Sequence, residues 1–402
     1  MKAFVRNQLA GFQFKQMPRR LLLGLSAGVP GGLAVGLFLH LMAVATEIRL
    51  GHPEILWFLP IAGGAVGWLY HHFGQDIAPG NNLIIDEIHQ PKKLLPLKMS
   101  PLVLIGTIST TLFGGSTGRE GAAVQMGATF ADQSGRLLKS TPSERRALLI
   151  AGAGAGFGAA LGTPWAGMFF GMEMIHVGRL RPQAWLECLV ASFAGVAVAT
   201  FTQHPETQYP ALTVPTPSLW LWLSVLVCGV AWGLAARAFV YLTHRVEKLQ
   251  AHFVRYPPLR PVLGGFLLIA FYWLEGSYRY AGLGLPAVVE SMQHASSWRD
   301  PLFKSLFTAL TIGSGFKGGE FIPLVFLGAT LGSFIAGLMQ APVTLLSQVG
   351  FAAVFAAASN TPLACSVMAI EIFGWPIAPY ALLGCAVAYL VSGRHGIYKA
   401  QK

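Results

Sequence analysis

Two carboxylates, Glu120 and Glu320, stand 200 residues apart in a strongly apolar chain, each beside a glycine-rich interruption. The first interruption runs Gly114-Gly115-Ser116-Thr117-Gly118 into Arg119-Glu120-Gly121. The second runs Gly318-Gly319-Glu320-Phe321, with Gly313 and Gly315 just before it. An acid within a membrane segment costs ~2.5–3.5 kcal/mol on insertion scales, so each needs a partner, a proton or a watery cavity. The helix-compatible stretch 122–138 follows the first break directly, which places Glu120 at a helix N-terminus. Unpaired backbone N–H groups and the positive dipole end make such a terminus an anion site. The expected chemistry is competition. Ionised Glu120 fills the site as a tethered anion, whereas protonated Glu120 no longer needs those donors and swings away to admit a free one. Anion and proton movement are then linked through one side chain. Simple helix capping is the alternative role, and an ion pair with Arg119 is not expected, because adjacent helical residues point apart.

Glu320 takes the matching place in the second half, opening a helix that runs through Pro323. In an inverted duplication, equivalent helix starts approach one another at the bilayer midplane, so Glu120 and Glu320 are expected to face a common ion with coupled titrations. Capping is again the alternative for Glu320. A third break, Pro79-Gly80-Asn81-Asn82, offers the Asn81 amide as a helix cap or an anion donor. The Tyr398 hydroxyl is either a further ligand or an interfacial anchor. Glu173 and Glu371 close two repeated Thr-Pro-x-Ala segments and are expected to satisfy backbone groups rather than to transport.

The elements that must position these residues follow from composition and repetition. Of 402 residues, 53% are hydrophobic and 11% charged, against roughly 25% charged in soluble domains. The chain is an all-α polytopic membrane protein by this measure. Apolar runs at 21–44, 55–70, 219–236 and 261–274 approach the ~20 residues of a spanning helix. Shorter runs broken by Gly or Pro must be half-helices or re-entrant segments facing protein or water. Phe157, Ala159, Ala160, Thr163, Pro164, Ala166 and Glu173 recur as Phe355, Ala357, Ala358, Thr361, Pro362, Ala364 and Glu371, all 198 residues on. The expected organisation is a basic cytoplasmic arm over 1–20, a first membrane repeat over 21–202, a Pro-rich linker over 203–218 and a second repeat over 219–402. The run 21–44 is expected to be retained as a helix, since no cleavable signal pattern precedes it.

The net charge of +11 sits in short links, where it sets topology and contacts lipid headgroups, and nucleic acid is excluded as a partner. Lys2, Arg6, Lys15, Arg19 and Arg20 ahead of the first span predict a cytoplasmic N-terminus. Cys188, Cys228, Cys365 and Cys385 stand singly in apolar sequence without metal-ligand spacing, so they are packing residues and no metal or cofactor is expected. Runs such as Ala151-Gly152-Ala153-Gly154-Ala155-Gly156 let helices approach closely.

Taken in order, Gly118-Arg119-Glu120-Gly121, the Gly-Gly-x-Phe-x-Pro element at 318–323, the paired Thr-Pro segments and the late Tyr398 resemble the CLC superfamily of anion channels and anion/proton antiporters. The resemblance spans nearly the whole chain from about residue 20. It implies a homodimer with one pore per subunit, each subunit an inverted repeat of two halves with broken and re-entrant helices. Glu120 is then the gating glutamate, and Phe321 and Tyr398 line the anion path. The anion site implied by these motifs comprises Gly80, Asn81, Gly118, Arg119, Gly121, Gly319, Phe321, Ile322 and Tyr398.

Departures from the chloride-type pattern are informative. Gly80-Asn81-Asn82-Leu83-Ile84 replaces Gly-Ser-Gly-Ile-Pro, Met174 stands where chloride/proton members carry an inner proton glutamate, Ala122 replaces Pro, and Glu320 replaces an apolar residue. These changes resemble the fluoride/proton antiporter branch, which implies export of fluoride across the bacterial inner membrane in exchange for protons. Glu320 would then hold Glu120 or its proton partway. A chloride-selective exchanger or channel is the first alternative. A membrane-embedded enzyme is a distant one, because no nucleophile-base pair or metal cluster accompanies the acids.

Overall fold

The computed structural model describes residues 16–202, 207–212 and 216–402. Residues 1–15 of the basic arm, and parts of the linker at 203–206 and 213–215, lie outside the described residues. Among the described residues are sixteen α-helices and no strands.

Eight helices precede the linker and eight follow it. The first half contains α1 (Met17–Gly51), α2 (Leu59–Phe73), α3 (Asn81–His89), α4 (Met99–Leu112), α5 (Glu120–Leu137), α6 (Pro142–Leu161), α7 (Pro164–Glu173) and α8 (Trp185–Thr200). The second contains α9 (Leu219–Phe253), α10 (Leu259–Glu275), α11 (Leu285–Ser291), α12 (Arg299–Gly313), α13 (Phe321–Met339), α14 (Val343–Ser359), α15 (Pro362–Phe373) and α16 (Ala378–Ser392). Long and short members fall in the same order in both halves, and α1 and α9 each have 35 residues. At 1.5 Å per residue each is about 50 Å long, so both must cross a ~30 Å hydrocarbon core at a tilt.

Helix α1 begins at Met17, so the expected arm over 1–20 gives its last residues, Arg19 and Arg20, to the first span. The run 55–70 is not one span but a 3₁₀ turn over Pro53–Phe58 followed by the 15-residue α2, in which Pro60 sits at the start. At about 22 Å, α2 is too short to cross alone.

Ion pairs fix which helix ends share a side. Arg19 at the start of α1 meets Glu144 at the start of α6 and donates to the Leu138 carbonyl after α5. Arg20 pairs with Glu187 at the start of α8 at 2.6 Å. These ends therefore define one face of the molecule, the near face, and α5 runs toward it. Its counterpart α13 runs the other way: the Ser333 hydroxyl donates to the His294 carbonyl and accepts from the Ser296 N–H, on the far face reached by the end of α1. The halves are inverted.

Small residues set the packing. Gly156 lies against the backbone of Ala123, and Gly152 and Gly127 lie against each other; a Cβ on any of these three glycines would overlap the facing backbone. The second half repeats the contact between Gly328 of α13 and the Gly350 carbonyl of α14, with the Trp232 indole N–H donating to the Gly328 carbonyl at 3.2 Å. Gly328→Ala is expected to lower stability by ~1–3 kcal/mol through overpacking, read as thermal unfolding in detergent. Gly51→Ala, with nothing within 4 Å of its Cβ position, should leave the transition unmoved; equal behaviour of the two would refute the contact. All four cysteines are buried and free.

Candidate functional site

The two glycine breaks meet. The Gly118 N–H donates to the Gly319 carbonyl at 2.6 Å and the Gly319 N–H donates to the Gly118 carbonyl at 2.7 Å, a reciprocal antiparallel bridge between the starts of α5 and α13. Such a bridge pairs each residue with its own counterpart, so the halves are related here by 201 positions and not 200. Gly127-Ala128-Thr129 and Gly328-Ala329-Thr330 keep that register. This corrects the expected equivalence of the two acids. The counterpart of Glu120 is Phe321, and the counterpart of Glu320 is Arg119. Inversion requires counterparts to face opposite sides, whereas Glu120 and Glu320 line the same cavity.

Glu120 is the first residue of α5 and only 1% exposed. Its carboxylate folds back over the break, and Oε2 accepts from the Arg119 N–H at 3.0 Å. A Cβ on Gly118 would lie 3.1 Å from that oxygen and 2.9 Å from the Ile322 nitrogen, so a side chain at 118 would displace the carboxylate. The other oxygen, Oε1, is buried without a hydrogen bond, with Arg119 Nε 3.6 Å away. The expectation that Arg119 and Glu120 do not approach is thus corrected. Arg119 caps the helix from outside it, and the helical rule for adjacent residues does not apply to its direction.

Two cavities end at this bridge. The near-face cavity, about 350 Å³, is lined by Gly80, Asn81, Glu120, Gly121, Gly319, Glu320, Phe321 and Tyr398. The far-face cavity, about 250 Å³, is lined by Arg119, Gly162, Thr163, Tyr209 and Ile322. The structure thus gathers the sequence-predicted site residues around one constriction and divides them between two mouths. Gly118 lies in the bridge itself. Arg119 and Ile322 face the far mouth, opposite their counterparts Glu320 and Gly121.

Around the near mouth, Gly80 takes φ +60° at the tip of α3, a conformation that suits glycine. The Asn81 amide nitrogen lies 3.4 Å from the Cβ position of Gly121, while its Oδ1 is buried without a partner. Tyr398 is 7% exposed, which places it in the cavity wall and not among interfacial anchors. Phe321 packs edge-on against Phe355 at 4.6 Å and Phe157 at 5.6 Å, the two aromatic residues of the 198-residue repeat. The Glu173 carboxylate accepts from the Leu363 and Ala364 N–H groups at the start of α15, and Glu371 accepts from Trp165 and Ala166 at the start of α7. Each short helix caps the other, which is the structural role expected of both acids.

Sequence reasoning missed Lys317, whose ammonium stands 4.3 Å from the Tyr70 ring centroid in the cavity wall, although a lysine directly before Gly318-Gly319 was a readable signal. It also missed Gln125, one turn along α5 from Glu120, and the Lys399–Glu247 pair, which no local pattern announces. Among the described residues no group of three His, Cys, Asp or Glu side chains is placed to hold a metal.

Residues 62–393 match the family described as voltage gated chloride channel. A chloride/fluoride channel protein of Pseudomonas syringae pv. tomato is 45% identical over 377 residues, covering 92% of this chain and 83% of that protein. Among solved structures, that of a CLC-type fluoride/proton antiporter has a TM-score of 0.93 at 31% identity, covering 97% of this chain and 99% of its own. A slow cyanobacterial Cl⁻/H⁺ antiporter shares the fold, with a TM-score of 0.80 at 22% identity over 95% and 96% of the two chains. With paired inverted halves, a bridged pair of helix tips and a buried acid at their junction, the chain belongs to the CLC family of voltage gated chloride channels.

Proposed function

We propose that the chain is a fluoride/proton antiporter of the bacterial inner membrane, working as a homodimer and exporting fluoride at the expense of the inward proton gradient. One observation carries the reading: the Glu120 carboxylate occupies a helix tip between two cavities on opposite faces, held by the Arg119 N–H. Ionised, it blocks the constriction as a tethered anion. Protonated, it loses the charge those donors favour and yields the place to a free anion. The chemistry is exchange without covalent steps.

Fluoride as the anion is supported by the 45% identical relative named for chloride and fluoride and by the fluoride/proton antiporter at a TM-score of 0.93. The site chemistry agrees. Fluoride holds water tightly and must be met by close donors, and Asn81, rather than the serine of the chloride-type pattern, stands at the tip of α3. Glu320 shares the near cavity with Glu120, which supports a role in receiving that side chain or its proton. Lys92, Lys93, Lys98, Arg136, Lys139, Arg145 and Arg146 cluster in the near-face links, and by the positive-inside rule this supports a cytoplasmic near face and N-terminus.

The test uses vesicles holding the purified protein and loaded with fluoride, with internal fluoride and pH recorded together. Fluoride efflux should draw protons inward, and an equal chloride gradient should move far fewer. Chloride and fluoride leaving at equal rates without proton uptake would replace this reading with a chloride channel.

A further inference from the structure

A third cavity opens on the far face where α1 ends. Its volume is about 400 Å³, and its walls include Arg49, Leu50, Leu56, Leu283, Leu285 and Ala287. Arg49, in the last turn of α1, is 6% exposed. Its guanidinium stacks on Gly282, whose Cβ position lies 3.0 Å from an Arg49 Nη. Among the described residues it forms no ion pair, and its Nε–H is buried without an acceptor. An arginine stays charged in proteins, and a buried charge without a counter-charge is strongly unfavourable. The carbonyl end of α1 offers a partial negative charge but no hydrogen bond to Nε.

The neighbouring charges deepen the deficit. Lys304, fully buried, donates to the carbonyls of Tyr280 and Gly282 in the segment that forms the cavity wall. Arg279, at the rim, is taken by Asp300 and Glu290. Three cations thus face two carboxylates, and the pocket is one negative charge short.

The geometry points to a binding site for one anionic phospholipid of the far-face leaflet, its phosphodiester on Arg49 and its glycerol and upper acyl segments along the apolar wall. An anionic phospholipid brings the single missing net charge, which a zwitterionic one with the same phosphodiester does not, and guanidinium matches phosphate oxygens in bidentate fashion. Size decides against a halide, because 400 Å³ is more than ten times the ~30 Å³ share of one water molecule. Exposed Leu50 at the same edge opens the pocket to lipid. Leu285 also lines the far mouth of the constriction, so a bound lipid would brace that wall.

The full-length protein, stripped of lipid in detergent, is titrated with phosphatidylglycerol, phosphatidylcholine, or inorganic phosphate while thermal unfolding is followed. Phosphatidylglycerol should raise the transition temperature saturably, phosphatidylcholine and phosphate should not, and Arg49→Gln should weaken the phosphatidylglycerol effect at least about tenfold, the scale of one lost charge-assisted contact. Native mass spectrometry of the unsubstituted protein, offered equal amounts of both lipids, should retain phosphatidylglycerol selectively, a readout that needs no variant to fold. Equal retention of the two lipids, equal stabilisation by inorganic phosphate, or an unweakened Arg49→Gln titration would each overturn the site.

Discussion

Glu120→Gln is expected to abolish fluoride-driven proton uptake in reconstituted vesicles, bringing it down to the protein-free background. Glutamine keeps the size of the side chain and an oxygen able to accept from the Arg119 N–H, which in the native protein donates at 3.0 Å. What it removes is the charge and the titratable proton. An amide cannot rival an anion for a helix tip, since hydrogen bonds to an ionised acceptor are roughly twice as strong as neutral ones. It also cannot carry a proton through the exchange. Any fluoride flux that persists must therefore be uncoupled, and its direction should follow the fluoride gradient alone. Glu320→Gln separates the two acids. Because Glu320 is the counterpart of Arg119 and not of Glu120, the two substitutions should differ in kind, with Glu320→Gln altering the rate or ratio of exchange and leaving the constriction closed by Glu120. Proton uptake against a fluoride gradient by the Glu120→Gln protein would end the proposal that this carboxylate couples the two fluxes.

The register of the halves shows where sequence was informative and where it fell short. Glycine breaks, buried acids and the recurrence of Phe157, Thr163 and Glu173 as Phe355, Thr361 and Glu371 are local patterns, and they located the constriction and the paired caps of α7 and α15. Matching Glu120 to Glu320 by residue type was misleading, because two identical residues one position out of register face the same cavity only when they are not symmetry mates. The 201-residue register was readable in the recurrence of Gly127-Ala128-Thr129 as Gly328-Ala329-Thr330, but the reciprocal Gly118–Gly319 bridge is a long-range contact that only the fold reveals. The same holds for Arg49, which looks like an ordinary terminal cation of α1 until burial and the lack of an acceptor are known. Apolar runs likewise misplaced the break at Pro53–Phe58, since hydropathy does not register a change from 3₁₀ turn to α-helix. Residues such as Lys317 and Glu247 acquire their meaning only from the cavity they share.

Arg145→Met is expected to cost ~3–5 kcal/mol of stability, the range for removing one partner of a buried ion pair. Arg145 donates through Nε to Asp132 Oδ1 at 2.6 Å, and through one terminal nitrogen to Asp132 Oδ2 at 2.9 Å, Glu87 at 3.2 Å and the Lys93 carbonyl at 2.6 Å. Asp132 is fully buried and also accepts from the Leu95 N–H, while Glu87 accepts from the Lys92 and Lys93 N–H groups. One guanidinium therefore ties the end of α3, the connection to α4, the middle of α5 and the start of α6 into a single unit. Methionine fills much of the volume but leaves two carboxylates facing each other without a cation. Asp132→Asn in the same protein removes that mutual repulsion and leaves only Glu87 without its cation, so the double variant should recover part of the loss, whereas an additive pair would mean that the residues do not interact. The effect should reach the site as well, because α3 carries Gly80 and Asn81 at its other end, and a loosened α3 lets that tip leave the cavity wall. Thermal unfolding in detergent reads the stability, and the fluoride concentration for half-maximal flux reads the tip. A loss below about 1 kcal/mol, the usual worth of an exposed pair, would mean that water and not protein surrounds these charges.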